Sequence, residues 1–224
     1  TYSLKEITLD RDDYSNKKPP IMEDLINVLE GMDGGNDIAV KLSKFSTGTF
    51  GKLFNNQTNV NLDSPLTVFS IRDIEDALKT PAMYNILNYI WATIRARKQK
   101  RLLIVDEAWI MMQNDISANF LYGMVKRARK YGLGITTISQ DIEDFAKSKY
   151  GKPIITNSAM QILLKQSTAS IKELNNILWL SEAEKQKLVA SGIGEGVIFA
   201  GNQHVSVKIL ASPFEKDFIT TDVK

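Results

Sequence analysis

The sequence contains no cysteine and a single histidine, His204. The missing thiols exclude disulfides and thiolate metal sites and fit a reducing compartment. One imidazole argues against a histidine-built metal centre or a Ser-His-Asp triad. No apolar run approaches the roughly 20 residues that cross a bilayer, and no signal peptide is evident. Charge of one sign is scarce as well: 28 basic residues oppose 26 acidic ones, a net +2. That balance is too small to argue for nucleic acid or an acidic substrate. What is present is the composition of an ordinary soluble globular protein. Its 224 residues suffice for one good core and a small appended subdomain.

Chemistry concentrates in the stretch Arg101-Leu102-Leu103-Ile104-Val105-Asp106-Glu107-Ala108-Trp109. Four consecutive apolar residues predict a strand buried on both faces, as in the centre of a parallel sheet. Two carboxylates follow where that strand ends, and in open α/β sheets ligands lie beyond the carboxyl ends of the strands. This is the form of a Walker B segment, in which an aspartate holds a hydrated Mg²⁺ and a following glutamate polarises water. The pair alone is weak, because short apolar runs before Asp-Glu arise by chance and often cap a helix. A second β-branched run, Gly134-Ile135-Thr136-Thr137-Ile138-Ser139-Gln140, strengthens it. Gln140 at its end could bond a γ-phosphate oxygen and the attacking water, or simply cap a loop with Asp141.

Residues 1–62 read as a helical subdomain and connector, and residues 63–224 as the core. Asp10 to Pro20 is polar and ends in Lys17-Lys18-Pro19-Pro20, which predicts a connector. Ile21, Leu25, Val28 and Leu29 predict a helix stopping at Gly31. Ile38, Val40, Leu42 and Phe45 predict a second. Ser46 to Phe54 contains Gly51-Lys52 but lacks the earlier glycine and the following hydroxyl of a P-loop, and no buried strand leads into it. A flexible loop is expected there. The core, beginning near Asn61, should contain a strand at Leu66–Ile71 and a helix opened by Pro81. That helix carries an apolar stripe through Ile86, Leu87, Ile90, Trp91 and Ile94. Its basic end, Arg95 to Arg101, fits the negative pole of a helix dipole better than a nucleic-acid contact.

A helix is expected from Ser117 to Tyr131, with Lys126, Arg127, Arg129 and Lys130 in its last turn. At 1.5 Å per residue its end lies roughly 20 Å from Asp106. Its arginines therefore either decorate a helix C-terminus or serve a neighbouring subunit as an arginine finger. On a helical wheel Arg129 continues the apolar stripe, whereas Arg127 faces away. Further along, Asp141–Lys149 predicts a short helix, Gly151-Lys152-Pro153 a turn and Gln161–Gln166 a strand. Ser181 and Glu184 form a capping box for a helix to about Ala190. Gly192-Ile193-Gly194-Glu195-Gly196 leads into a strand, not into the helix N-terminus that binds anions. Gly201-Asn202-Gln203 predicts a hairpin turn, and His204 reads as structural.

Leu103 to Trp109, Lys126-Arg127-Ala128-Arg129-Lys130-Tyr131-Gly132-Leu133-Gly134 and Ser139-Gln140-Asp141, in this order and spacing, resemble the ATPase of conjugative type IV secretion systems. This is the VirB-four or TraC class, related to coupling proteins and FtsK-like motors. The likeness extends through Tyr84-Asn85-Ile86-Leu87 and Thr156-Asn157-Ser158 to Gly194-Glu195-Gly196. It implies an α/β, RecA-like P-loop NTPase-type fold, with a mostly parallel sheet flanked by helices. It also implies ATP and Mg²⁺ as ligands, and a hexameric or other oligomeric motor at the cytoplasmic face of a secretion channel. Expected partners are further copies of the chain, the channel and its coupling proteins, with DNA as a further candidate. Membrane contact would be peripheral, through those partners. Carried over, Asp106 would hold Mg²⁺, Glu107 would activate water, Gln140 would sense the γ-phosphate, and Arg129 or Arg127 would act in trans.

The class carries a Walker A loop, and no such pattern occurs here, so the reading expects a fragment beginning after that loop. Two alternatives share the fold: a non-hydrolytic assembly module of the channel, and an FtsK-like DNA-translocating motor.

Overall fold

The structure is a computed structural model that describes residues 18–60, 62–97, 99–140 and 142–219. Asn61, Lys98, Asp141 and the connector up to residue 17 lie outside them. The chain divides between Val68 and Phe69 into two compact units.

Among the described residues the first unit holds three short helices: α1 (Met22–Glu30), α2 (Asn36–Ser43) and α3 (Gly48–Phe54). The backbone N–H of Ile21 donates to the Asp24 carboxylate at 2.8 Å, which starts α1. The Asn55 side chain accepts from Glu23 N at 2.8 Å and donates to Ser46 O at 3.1 Å, tying α1 to α3. Phe45 packs against Phe50 and Phe54 with ring centroids 6.0 and 5.5 Å apart. That aromatic contact is why the stretch expected as a flexible loop is instead a helix. Gly51-Lys52 lies inside α3, and the Gly51 N–H is spent on Thr47 O.

In the second unit, α4 (Asp76–Ala96) precedes β1 (Arg101–Val105), α5 (Trp109–Met112), α6 (Asp115–Ala128) and β2 (Leu133–Thr137). Then come α7 (Ile142–Lys147), α8 (Gly151–Asn157), β3 (Met160–Leu164), α9 (Thr168–Leu178) and α10 (Glu182–Ala190). The hairpin β4 (Glu195–Ala200) and β5 (Gln203–Lys208) and a last helix, α11 (Pro213–Ile219), complete the unit. β1 and β2 pair in parallel, with Arg101 opposite Leu133 and Val105 opposite Thr137. Parallel neighbours need a crossover connection, here supplied by α5 and α6. β3, β4 and β5 form a separate antiparallel sheet in that order.

Several expectations change. Leu66–Ile71 forms no strand: among the described residues no strand pairs with it, and β-propensity expresses itself only through pairing. Pro81 does not open α4 but sits inside it, one turn after Asp76. Its ring forfeits one hydrogen bond in the early helix, offset by burial of Leu78, Ala82 and Met83. Gly151-Lys152-Pro153 begins α8 instead of making a turn. The helix α9 was not anticipated. Its signals were Ser167, whose hydroxyl accepts from Ser170 N, and Ile171, Leu174 and Ile177 at helical spacing.

β1 is buried on one face only. Leu103 and Val105 turn inward, where Val105 joins Trp91, Ile94, Leu121, Met124 and Leu133 in the main core. Leu102 and Ile104 are 69% and 59% exposed. The unit's own helices cover one side of the parallel pair, so alternation, not a doubly buried run, describes the strand. A second core joins Ile171, Leu174, Leu180, Leu188, Val197 and Phe199.

The capping box at Ser181 is present, with Glu184 N donating to Ser181 Oγ and Ser181 N to the Glu184 carboxylate. His204 Nδ1 lies 2.6 Å from Glu184 Oε1, joining β5 to α10. Burial works against Glu184, but the bonds from Ser181 and His204 hold its carboxyl below the ordinary value. Gly196 is required: a Cβ there would stand 2.1 Å from the Leu163 carbonyl of the paired strand. The glycine loop before it closes on its own chain, since the Glu195 carboxylate accepts from Gly192 N and meets Lys208 at 3.2 Å.

Trp179 closes α9 in the left-handed region at φ 54° with its ring 85% exposed. An L-residue there costs roughly 1–2 kcal/mol, and glycine is the residue helices prefer at this position. Trp179→Gly is therefore expected to stabilise the chain by about 1 kcal/mol, or about 2–4 °C in thermal midpoint, read by a melting curve.

Candidate functional site

The parallel pair delivers its chain ends to one rim. Beyond Val105 and Thr137 the ladder continues for one more step, with Ile138 N donating to Val105 O and Ala108 N to Ile138 O, both at 2.9 Å. This registers the two loops against each other. Asp106 then follows on one strand, and Ser139 and Gln140 on the other.

Glu107 takes a left-handed backbone with φ 49°. That conformation is costly for a side chain with a Cβ, and such residues gather at functional sites. It turns the chain out of β1 and into α5. Ile110 N donates to Glu107 O at 3.0 Å, and the helix behind it is anchored by Ile110, Met111 and Met112 in the core.

Both carboxylate oxygens of Glu107 are engaged. Gln140 Nε2 donates to Oε1 at 2.8 Å, and the indole N–H of Trp109 donates to Oε2. Sequence reasoning placed Glu107 and Gln140 in one argument but missed the indole. The only signal was the tetrapeptide Asp106-Glu107-Ala108-Trp109 itself. Asp106 is exposed, and its Oδ1 accepts from Glu107 N at 2.9 Å. No hydrogen bond engages its second oxygen among the described residues. One carboxylate suits Mg²⁺, which keeps most of its waters and takes its other ligands from phosphates. No group of three or more metal-binding side chains occurs among the described residues.

The arginines separate clearly. α6 starts with the Asn114 side chain accepting from Ile116 N and ends at Ala128, after which residues 129–131 form a 3-10 turn. The helical wheel therefore fails at Arg129: the helix has ended, and Arg129 is exposed while Ala128 is buried. No hydrogen bond or ion pair holds the Arg129 guanidinium among the described residues. Arg127 is committed to its own subunit. Its Nε donates to Gly123 O at 2.7 Å, and its guanidinium lies 5.3 Å from the centre of the Trp91 ring. At the end of α4, Arg101 donates to Arg97 O at 2.9 Å, so this basic residue does satisfy a helix C-terminus.

A surface hollow lined by Lys147, Lys149, Lys152, Pro153 and Thr156 contains none of these residues. Lys147 pairs with Glu143 and Lys149 with Asp115 there. No helix among the described residues is long and apolar enough to cross a membrane.

Comparison with known proteins finds a family and two similar chains. Residues 28–195 match the TraG P-loop domain. The chain is 22% identical over 182 residues to the type IV secretion system protein CagE of Helicobacter pylori, covering 79% of this chain and 18% of CagE. The structure of VirB4 of Thermoanaerobacter pseudethanolicus superposes with a TM-score of 0.85 at 30% identity, covering 96% of this chain and 62% of that one. The chain thus spans less than two thirds of either relative, and its fold is of the RecA-like P-loop NTPase type.

Proposed function

The chain belongs to the TraG P-loop domain family, and from that premise we propose that it forms part of an ATP-hydrolysing motor of the type IV secretion class. In this reading it is one portion of a longer parent protein that powers transfer of DNA or protein through a cell-envelope channel, working as a hexamer or other oligomer at the cytoplasmic face. The observation that carries the proposal is the hydrogen bond between Glu107 and Gln140 at the shared rim of two parallel strands. A carboxylate and an amide so joined can share one water and one phosphate oxygen between them.

The geometry supports the following roles. Glu107 accepts a proton from the attacking water. Gln140 orients that water and answers to the γ-phosphate. Asp106 would hold a Mg²⁺ ion, whose charge would neutralise that on the phosphates. Arg129, exposed and unengaged, reaches the site of a neighbouring subunit.

Residues 1–224 contain no Gly-x-x-x-x-Gly-Lys-Ser/Thr pattern, so this stretch offers no backbone cradle for the β- and γ-phosphates. The purified 224-residue chain is accordingly expected to release phosphate from ATP and Mg²⁺ only at background rate, whereas the parent turns it over. A steady-state phosphate-release assay reads both. Turnover by the chain alone, lost on Glu107→Gln, would overturn the missing-cradle account.

One observation favours a second reading, a non-hydrolytic assembly module: the bare face at Leu102 and Ile104, of the kind that docks another protein. Under that reading, substrate transfer by the parent survives Glu107→Gln.

A further inference from the structure

We propose that Trp109 is a positioning residue for Glu107, and that its indole and the Gln140 amide hold the carboxylate parked until nucleotide draws Gln140 away. The inference rests on the reading of Glu107 as the base that activates water.

Three observations carry it. First, the Glu107 carboxylate and the Trp109 indole meet across the turn that leads from β1 into α5. The left-handed backbone at Glu107 makes that contact possible. A conformation this unfavourable persists only where its surroundings enforce it, and backbone bonds from Ala108 N to Ile138 O and from Ile110 N to Glu107 O hold the turn around it. Second, the indole is fixed. Trp109 opens α5, with fully buried Ala108 before it and buried Ile110, Met111 and Met112 after it. Trp carries only one N–H donor and no acceptor, so it can hold a carboxylate but cannot take its proton. Third, the other oxygen is taken by Gln140, which is exposed at the end of the neighbouring loop and free to change partner.

The two donors differ in kind. The indole grips from a rigid core element and keeps Oε2 in one direction. The amide, on a loop at the rim, is the exchangeable one. With a γ-phosphate present, the Gln140 amide gains a stronger, charged acceptor and releases Oε1 to the attacking water. Without nucleotide, each oxygen is already held by one donor, Oε2 by the indole and Oε1 by the amide. The site so arranged couples nucleotide occupancy to activation of the base, using groups the chain already contains.

The test has two arms. In the 224-residue chain, indole N–H signals come from Trp91, Trp109 and Trp179. Glu107→Gln should displace the Trp109 signal, assigned by its loss in Trp109→Phe, and leave the other two in place. In the parent protein, Trp109→Phe, which keeps a ring of similar shape against the core, should lower kcat about 10- to 100-fold, the weight of one hydrogen bond to a charged group. KM for ATP should stay unchanged. Trp109→His, which restores a ring N–H, should recover part of the loss. A melting midpoint close to the wild type marks each variant as folded.

An unmoved Trp109 signal in Glu107→Gln, or a raised KM with kcat intact in Trp109→Phe, overturns the positioning role alone. Full hydrolysis by the Glu107→Gln parent overturns the base assignment, and this inference with it, whatever the indole signal does.

Discussion

Glu107→Gln in the parent protein is expected to lower ATP turnover by about 10²- to 10⁴-fold, the usual contribution of a positioned general base. Glutamine keeps the volume, but its single carbonyl oxygen can replace only one of the two acceptors that Trp109 and Gln140 use. What it loses is the capacity to take a proton. Nucleotide affinity should therefore be nearly unchanged, which separates the effect from unfolding. The measurement is steady-state phosphate release alongside equilibrium binding of ATP. Turnover within a few-fold of wild type would remove Glu107 from the chemistry and favour the assembly reading. A matched loss of binding would mean that the substitution had disturbed the rim and not the reaction.

The second large effect belongs to the arginines, and the structure makes it a contrast. Arg129→Ala in the parent should lower kcat by about 10³- to 10⁵-fold, the range for an arginine supplied across a subunit boundary, with little change in stability because its side chain is exposed. Arg127→Ala should do the reverse. It loses a hydrogen bond to Gly123 and a cation–π contact with Trp91, together about 1–2 kcal/mol. That corresponds to a melting decrease of roughly 3–6 °C with kcat largely retained. Mixing experiments sharpen the reading. Arg129→Ala subunits carry an intact Glu107, and Glu107→Gln subunits carry an intact Arg129. Mixed oligomers should thus recover activity that neither variant has alone. No recovery on mixing would place Arg129 outside any neighbouring site.

Part of the site was legible without coordinates because it is governed by local rules. An apolar run ending in paired carboxylates, and a β-branched run ending in an amide, name both strands and their ligand-facing ends. The structure pairs these strands in parallel over Arg101–Val105 and Leu133–Thr137. What could not be read was how the side chains at those ends turn. Glu107 and Gln140 are separated by 33 positions, and their contact depends on a ladder that runs one step past each strand. The wheel argument about Arg129 assumed a helix continuing through Tyr131. The helix tightens after Ala128, and although both arginines are exposed, it is Arg127 that is held, by Gly123 O and the Trp91 ring.

By itself the sequence determined the elements whose hydrogen bonds close within a few residues. The capping box at Ser181 and Glu184, the tight Gly201-Asn202 turn between β4 and β5, and the acidic end of β1 all followed from neighbouring residues. Tertiary structure alone decided three things: the left-handed turn at Glu107, the indole and amide on its carboxylate, and the single buried face of β1. A side chain's direction is set by a backbone dihedral that distant packing selects, and a strand's second face is buried only if some element comes to lie on it. Neither condition is written in the residues that obey it.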